Sequence, residues 1–447
     1  LKGAGEVGNR YRLIVAAFLG VALLFAGGAS RYDEDLQILV RLAAIVAIAA
    51  SLWPLDFAPL RRRPGLAVAA GVVWLLVALH LVPLPPDLWA RLPGHEVYAK
   101  IAAEAGVVGW RPLSLTPDLT LNALFALLPA TAAGLCALYL DHRSRLRLAG
   151  GVVLAACVSG ALGLAQLALG GEALRLYRET SLDSAVGLFA NRNHQAVFLA
   201  CALPLVGAVA VAGARETENL GRVLTVALPV VAFLLLALVA AQSRMGLLLG
   251  AVGLLGAAAV WRVGGFALLP SSRSLRMAAA AGGAALLAAV GLAVAAGGLL
   301  ERFTTVGPTT ETRIATLPPM LATAKAFMPL GAGFGAFDSV YRRFEPDALL
   351  STVYMNQAHN EPLQLAIEGG LPALALMVVF GWWWAKTAAR ASGAREQRPM
   401  ALAAVATTAI LLLSSLVDYP LRTPLLGALF AIACVEMVRA ARAEGPS

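Results

Sequence analysis

The stretch 356–371, NQAHNEPLQLAIEGGL, sets a histidine, an amide and a carboxylate at the mouth of an apolar helix. Asn360, Glu361 and Gln364 make a polar face beside His359, and Glu368 carries that face about two turns further along. An ionisable cluster at such a place is costly unless it works, and a carboxylate inside a membrane is read first as functional. Three arginines stand in comparable positions. Arg192 lies in Asn191-Arg192-Asn193-His194, just before an apolar run; Arg244 lies in Ser243-Arg244-Met245-Gly246, in a tight link between two runs. Arg422 lies in the short link Asp418-Tyr419-Pro420-Leu421-Arg422. Guanidinium groups bind anionic oxygens with a two-pronged fork, and a helix beginning near His194 adds a favourable dipole. At the surface of a membrane the natural anion is a lipid diphosphate head.

Each residue also has a plainer role open to it. An interfacial arginine such as Arg422 often only snorkels to headgroups. Asn191 or Asn193 can cap the following helix, and His194 can be a capping or interface histidine. The loop around Arg244 is too short to carry an idle charge.

The elements that must hold these residues are membrane helices. Of 447 residues, 59% are hydrophobic and 14% charged, and the mean hydropathy is +0.76. That is far above what a soluble core requires, and it predicts an all-α polytopic membrane protein. A span needs about 20 apolar residues, and about 12 such runs are expected. They fall near 13–29, 36–53, 65–83, 119–140, 148–170, 194–213, 223–241, 245–263, 277–300, 361–386, 400–417 and 424–441. The first run is long enough to be a retained span rather than a cleaved signal.

Basic residues cluster in alternate loops, at Lys2, Arg10 and Arg12, at Arg61, Arg62 and Arg63, and at Arg143, Arg145 and Arg147. The series continues at Arg262, Arg273 and Arg276 and at Lys386, Arg390, Arg395 and Arg398. The links near Arg31, Arg244 and Arg422 hold one each, so the positive-inside rule places the N-terminus inside and the polar cluster on the outer face. The net charge of +9 is thus a topology signal and a match to anionic lipid. Dispersed basic residues without an aromatic stripe exclude nucleic acid as a partner.

Two long outer loops are expected, 83–118 with a proline-rich entry, and 301–358, in which Thr310 to Phe327 can form a helix. Gly331-Ala332-Gly333-Phe334-Gly335 must then turn tightly, and its spacing is not a dinucleotide fingerprint. Cys136, Cys157, Cys201 and Cys434 all fall in apolar runs and read as small hydrophobes. The five histidines lack paired metal-ligand spacing, so no metal site is expected. Asp33-Glu34-Asp35 reads as a solvated acidic turn before it reads as a hard-cation site.

These motifs together resemble the O-antigen ligase and polymerase superfamily. They are Gly187-Leu188-Phe189-Ala190-Asn191-Arg192-Asn193-His194, Ser243-Arg244, Pro329-Leu330-Gly331-Ala332-Gly333-Phe334-Gly335-Ala336-Phe337, and His359-Asn360-Glu361-Pro362-Leu363-Gln364 with Glu368-Gly369-Gly370-Leu371. They run in the family order, with a ligase-like core over 187–372 between N-terminal spans in 1–186 and C-terminal spans in 373–447. The resemblance implies a GT-C-type glycosyltransferase of about twelve helices, whose large helical periplasmic loop closes over the site in a bacterial inner membrane. It implies a glycan on undecaprenyl diphosphate as donor, no cofactor, no metal, and inversion in one displacement.

By the same resemblance, His359 is the general base, and Arg192 and Arg244 bind the diphosphate. Glu361 is placed to orient or polarise His359. Arg313 and Arg342 of the outer loop are lesser candidates for substrate contact, beside Asn191, Asn193, His194, Asn360, Gln364 and Arg422. The implied acceptor is lipid A–core for a ligase or a second lipid-linked repeat for a polymerase. A protein hydroxyl is the third choice, and the chain lacks the long soluble C-terminal extension that would favour it. The Arg-x10-Gly pattern of some polymerase loops is met by none of Arg302, Arg313 or Arg342, which favours the ligase. A sugar or polysaccharide transporter is the rival from another class. Its polar residues belong near the midplane, in repeated halves with broken helices, whereas here they gather at one interface.

Overall fold

A chain that crosses lipid must satisfy its backbone hydrogen bonds internally, and this one does so with helices. The computed structural model describes residues 2–29, 34–53, 55–170, 172–266, 308–350, 355–391 and 398–441. The first elements are α1 (Lys2–Ala26), α2 (Glu34–Leu52), α3 (Ala58–Arg61) and α4 (Pro64–Leu79). An outlying segment follows, built of β1 (Pro83–Leu84), α5 (Pro86–Ala90), α6 (Glu96–Glu104) and β2 (Arg111–Pro112). Next come α7 (Pro117–Phe125), α8 (Leu128–Tyr139), α9 (His142–Leu169), α10 (Arg192–Thr217), α11 (Leu220–Ala240) and α12 (Arg244–Val263). The last are α13 (Pro308–Phe327), α14 (Phe337–Tyr341), α15 (Glu361–Ala391), α16 (Arg398–Ser415) and α17 (Pro424–Ala441).

Among the described residues, 9 stretches are long and apolar enough to cross a membrane, with α7 and α8 counted together. They coincide with nine of the twelve expected runs. The expected span at 65–83 is the shorter helix α4 of 16 residues. The one at 13–29 lies largely within α1 but is not among the nine, and the one at 277–300 lies outside the described residues. The acidic turn at Asp33 also lies partly outside them. The four cysteines are free and sit in α8, α9, α10 and α17, as small hydrophobes.

Helix α10 is the axis of the fold: nearly all its residues from His194 to Val211 are buried, and it packs on α9, α11, α12 and α16. Small residues set its distance from α12. A Cβ on Gly253 would stand 2.5 Å from the Ala200 carbonyl oxygen, and one on Gly246 2.3 Å from Ala196 Cβ. In lipid, where apolar burial alone does not drive helices together, such close backbone packing does.

The chain reaches α10 through a buried return at 185–190. Buried non-helical backbone needs partners, and polar side chains within the apolar helix α9 supply them. Gln166 receives the Gly187 N–H (2.9 Å) and donates to the Gly187 carbonyl (3.0 Å). Ser159 Oγ receives the Leu188 N–H at 3.0 Å. Gly187 has φ 56° and no room for a side chain, since a Cβ would lie 2.4 Å from the Ser159 carbonyl oxygen.

The two long loops expected on the outer face pack on each other. β1 pairs antiparallel with β2, and the Leu115 N–H donates to the Ala332 carbonyl at 2.9 Å. Thr120 donates its hydroxyl to the Phe334 carbonyl at 2.7 Å. The glycine-rich loop is thereby pressed into a break in α15, where Gly370 takes φ 59° and ψ −150°. At the break, the N–H groups of Ala332 and Gly333 bond the carbonyls of Ile367 and Glu368 (2.8 and 2.9 Å), and the Leu371 N–H bonds Pro329 (2.8 Å). Glycine is required on both sides. A Cβ on Gly331 would meet the Glu368 carbonyl oxygen at 2.5 Å, and one on Gly370 would meet that of Pro329 at 2.2 Å.

Candidate active site

Four chain segments converge at one end of the bundle: the first turns of α10 and α12, the approach to α15, and the link between α16 and α17. Each helix start is capped by a short polar side chain, as its unpaired N–H groups require. Asn191 accepts from the Asn193 N–H (2.8 Å), Ser243 from Gly246 (3.1 Å) and Asn360 from Leu363 (2.9 Å). Asn360 also donates to the Leu416 carbonyl at 3.0 Å, tying α15 to the end of α16.

His359 stands two residues before α15 with φ 47°, a left-handed backbone that a non-glycine residue adopts at a cost. Its Nδ1 lies 3.0 Å from Asp418 Oδ1. The same oxygen receives the Tyr419 N–H (3.0 Å), and Asp418 Oδ2 receives Asn193 Nδ2 at 2.7 Å. Burial would push the Asp418 carboxyl up, but the hydrogen bond from His359, the neighbouring imidazoles and Asn193 outweigh it and hold the group well below the usual carboxylate range. An ionised Asp418 accepts only, so a neutral His359 presents its proton at Nδ1 and keeps Nε2 for accepting another. The Tyr419 ring stands edge-on between His359 and His194, with centroids 5.0 and 5.1 Å away. His194 is buried, with Nδ1 2.9 Å from Thr423 Oγ1.

Beside this pair lies an ion cluster. Arg422 Nε bonds both oxygens of Glu361 (3.2 and 3.1 Å), and its Nη2 bonds Glu368 at 3.1 Å. Burial would lower the Arg422 pKa, but the two carboxylates raise it above the ordinary arginine value, so the guanidinium stays charged. Gln364 bridges onward, donating to Glu368 (3.0 Å) and to Gln357, and receiving the Ala358 N–H (2.9 Å).

His359, Asn193, Glu361, Gln364 and Arg422 are thus brought together as the sequence suggests. The carboxylate that meets His359 is that of Asp418, whereas Glu361 turns to Arg422. Arg192 and Arg244 are the half-buried first residues of α10 and α12, each next to a residue of the hydrogen-bonded site. Arg342 pairs with Asp338 one helical turn back, at 2.9 Å. Arg313 belongs to α13, at a position whose side chain lies outside the described residues. Asp418 and Tyr419 escaped the sequence reading. The signal was there: a carboxylate in a short link between two apolar runs must find a partner.

A many-helix membrane protein with a histidine–carboxylate pair and arginines at one end of its bundle belongs to the class of membrane enzymes rather than scaffolds. Residues 229–378 match the O-antigen ligase family (Wzy_C), and the chain carries that family's domain there. The domain is that of an enzyme of the ligase/polymerase type of membrane glycosyltransferase, a family whose substrates are generally lipid-linked glycans. The matched residues include Arg244, the glycine-rich loop and 359–371 but end before Asp418 and begin after Arg192. No curated protein matches the chain.

Proposed function

We propose that this enzyme transfers a glycan from undecaprenyl diphosphate to a hydroxyl of lipid A–core, at the periplasmic face of a bacterial inner membrane. The observation that carries this reading is the His359–Asp418 hydrogen bond, set beside two helix starts that bear Arg192 and Arg244. His359 Nε2 takes the proton of the acceptor hydroxyl as its oxygen attacks the anomeric carbon. The bond from that carbon to the diphosphate oxygen breaks, and the lipid diphosphate leaves with the electron pair, inverting the centre. Arg192, Arg244 and the positive ends of α10 and α12 hold the growing charge on the leaving group. Asp418 keeps His359 oriented, the role of the carboxylate in other histidine–carboxylate pairs. Arg422, bound to Glu361 and Glu368, fixes the link that carries Asp418.

The test uses purified protein, a defined undecaprenyl-diphosphate glycan and lipid A–core, with EDTA present. Wild type is expected to make glycan-bearing core, and His359→Ala to lose about 10²–10⁴-fold in rate. Lengthening of the lipid-linked glycan when core is omitted would reassign the acceptor to a second repeat. Movement of donor across proteoliposomes with no transfer product would overturn the enzyme reading.

A further inference from the structure

Hydrogen bonds from α12 to His359 run in one direction only. Ser243 Oγ accepts the Gly246 N–H at 3.1 Å as the cap of α12, and it lies 2.9 Å from Asn193 Oδ1. An amide oxygen only accepts, so the Ser243 hydroxyl proton points at Asn193. That fixes the Asn193 amide with Nδ2 toward Asp418 Oδ2, 2.7 Å away. Asp418 accepts at both oxygens, so with Oδ2 held by Asn193 its Oδ1 receives the Nδ1–H hydrogen bond of His359. Reversing the amide would set two oxygens face to face at Asp418.

We propose that Ser243 and Asn193 are positioning residues, which hold His359 in the Nδ1–H tautomer through Asp418 and so keep Nε2 free to accept the acceptor's proton. The proposal rests on reading His359 as the base. It gives Asn193 a place behind the carboxylate rather than on the substrate. It also explains why a serine precedes Arg244: the hydroxyl starts the helix and the relay at once.

Cap and relay separate by substitution. Ser243→Thr keeps both. Ser243→Gly keeps the cap to within a few tenths of a kcal/mol, whereas Ser243→Ala loses it, at about 1 kcal/mol; both lose the donor. With 15N-histidine-labelled protein in nanodiscs, and the His359 signal assigned by its absence in His359→Ala, wild type and Ser243→Thr are expected to show a protonated Nδ1 and an unprotonated Nε2. Ser243→Gly and Ser243→Ala are expected to show mixed tautomers and a fall in kcat of about tenfold or more, with KM within about twofold. A wild-type tautomer in Ser243→Gly, or a rate loss confined to Ser243→Ala, would overturn the proposal. Tautomers that change as expected in a protein that transfers no glycan would leave the relay standing and refute the glycosyltransferase reading.

Discussion

At the scale of residues, the site depends on a carboxylate 59 positions from the histidine it serves. Because the Asp418 pKa is depressed, its stabilising contribution is complete above its ordinary value and is lost only as pH falls through the depressed one. Between pH 5 and 8 it stays charged, so titration of Asp418 itself does not shape the pH–rate profile there. Asp418→Asn is expected to cut kcat about 10²–10⁴-fold. A rate within about twofold of wild type would refute the pairing. Glu368 is fully buried against Arg422, and because Arg422 keeps Glu361 as a partner, Glu368→Ala should cost about 1–3 kcal/mol of stability, read in denaturant or thermal unfolding. His359, Asn193 and the three arginines were legible from their types beside apolar runs. Asp418 was not, because spacing along a chain says nothing about which links meet in space.

Among elements, the joint between the glycine-rich loop and the break in α15 bears most on the site, because Glu368, whose carbonyl accepts from that loop, also holds Arg422. Gly370→Ala puts a side chain at φ 59° against the Pro329 carbonyl. We expect it to expose 329–337 to protease and lower activity, with His359 itself intact. Farther out, His95 is buried against the Trp89 ring (4.7 Å), and the adjoining Gly94 would touch Phe327 of α13 if it bore a Cβ. Burial lowers the His95 pKa to about 4, against a small opposing pull from Glu96. A depressed histidine is stabilising above its ordinary value near 6.5 and loses that contribution as pH falls toward 4. Protection factors in 86–104, corrected for the intrinsic exchange rate, should therefore fall between pH 7 and pH 5, and His95→Gln should flatten the response. The sequence showed that the glycines turn; it did not show that a helix breaks to receive them, since Gly369-Gly370 sits inside an unbroken apolar pattern.

Over the whole molecule, the end remote from the site is fastened by a buried ion pair, Arg145 on α9 with Glu436 on α17 at 2.6 Å. Arg145→Ala leaves Glu436 buried without its partner and should lower stability by about 3–5 kcal/mol. Arg145→Met with Glu436→Leu should recover most of it, a result a thermal-shift series would settle. Composition pointed to the all-helical fold, and run lengths located the nine stretches long and apolar enough to span among the described residues. At 65–83 the apolar helix is shorter than the run, closing at Leu79 before the chain leaves for β1. The joint at Gly370 has one more consequence, for assembly. The backbone groups that complete α15 belong to residues 329–333, which are made before it and must already lie at the membrane face where α15 begins. The break in α15 can therefore complete its backbone pairing only once 329–333 lies beside it, and a chain whose glycine-rich loop is displaced leaves the carbonyls of Ile367 and Glu368 without those partners.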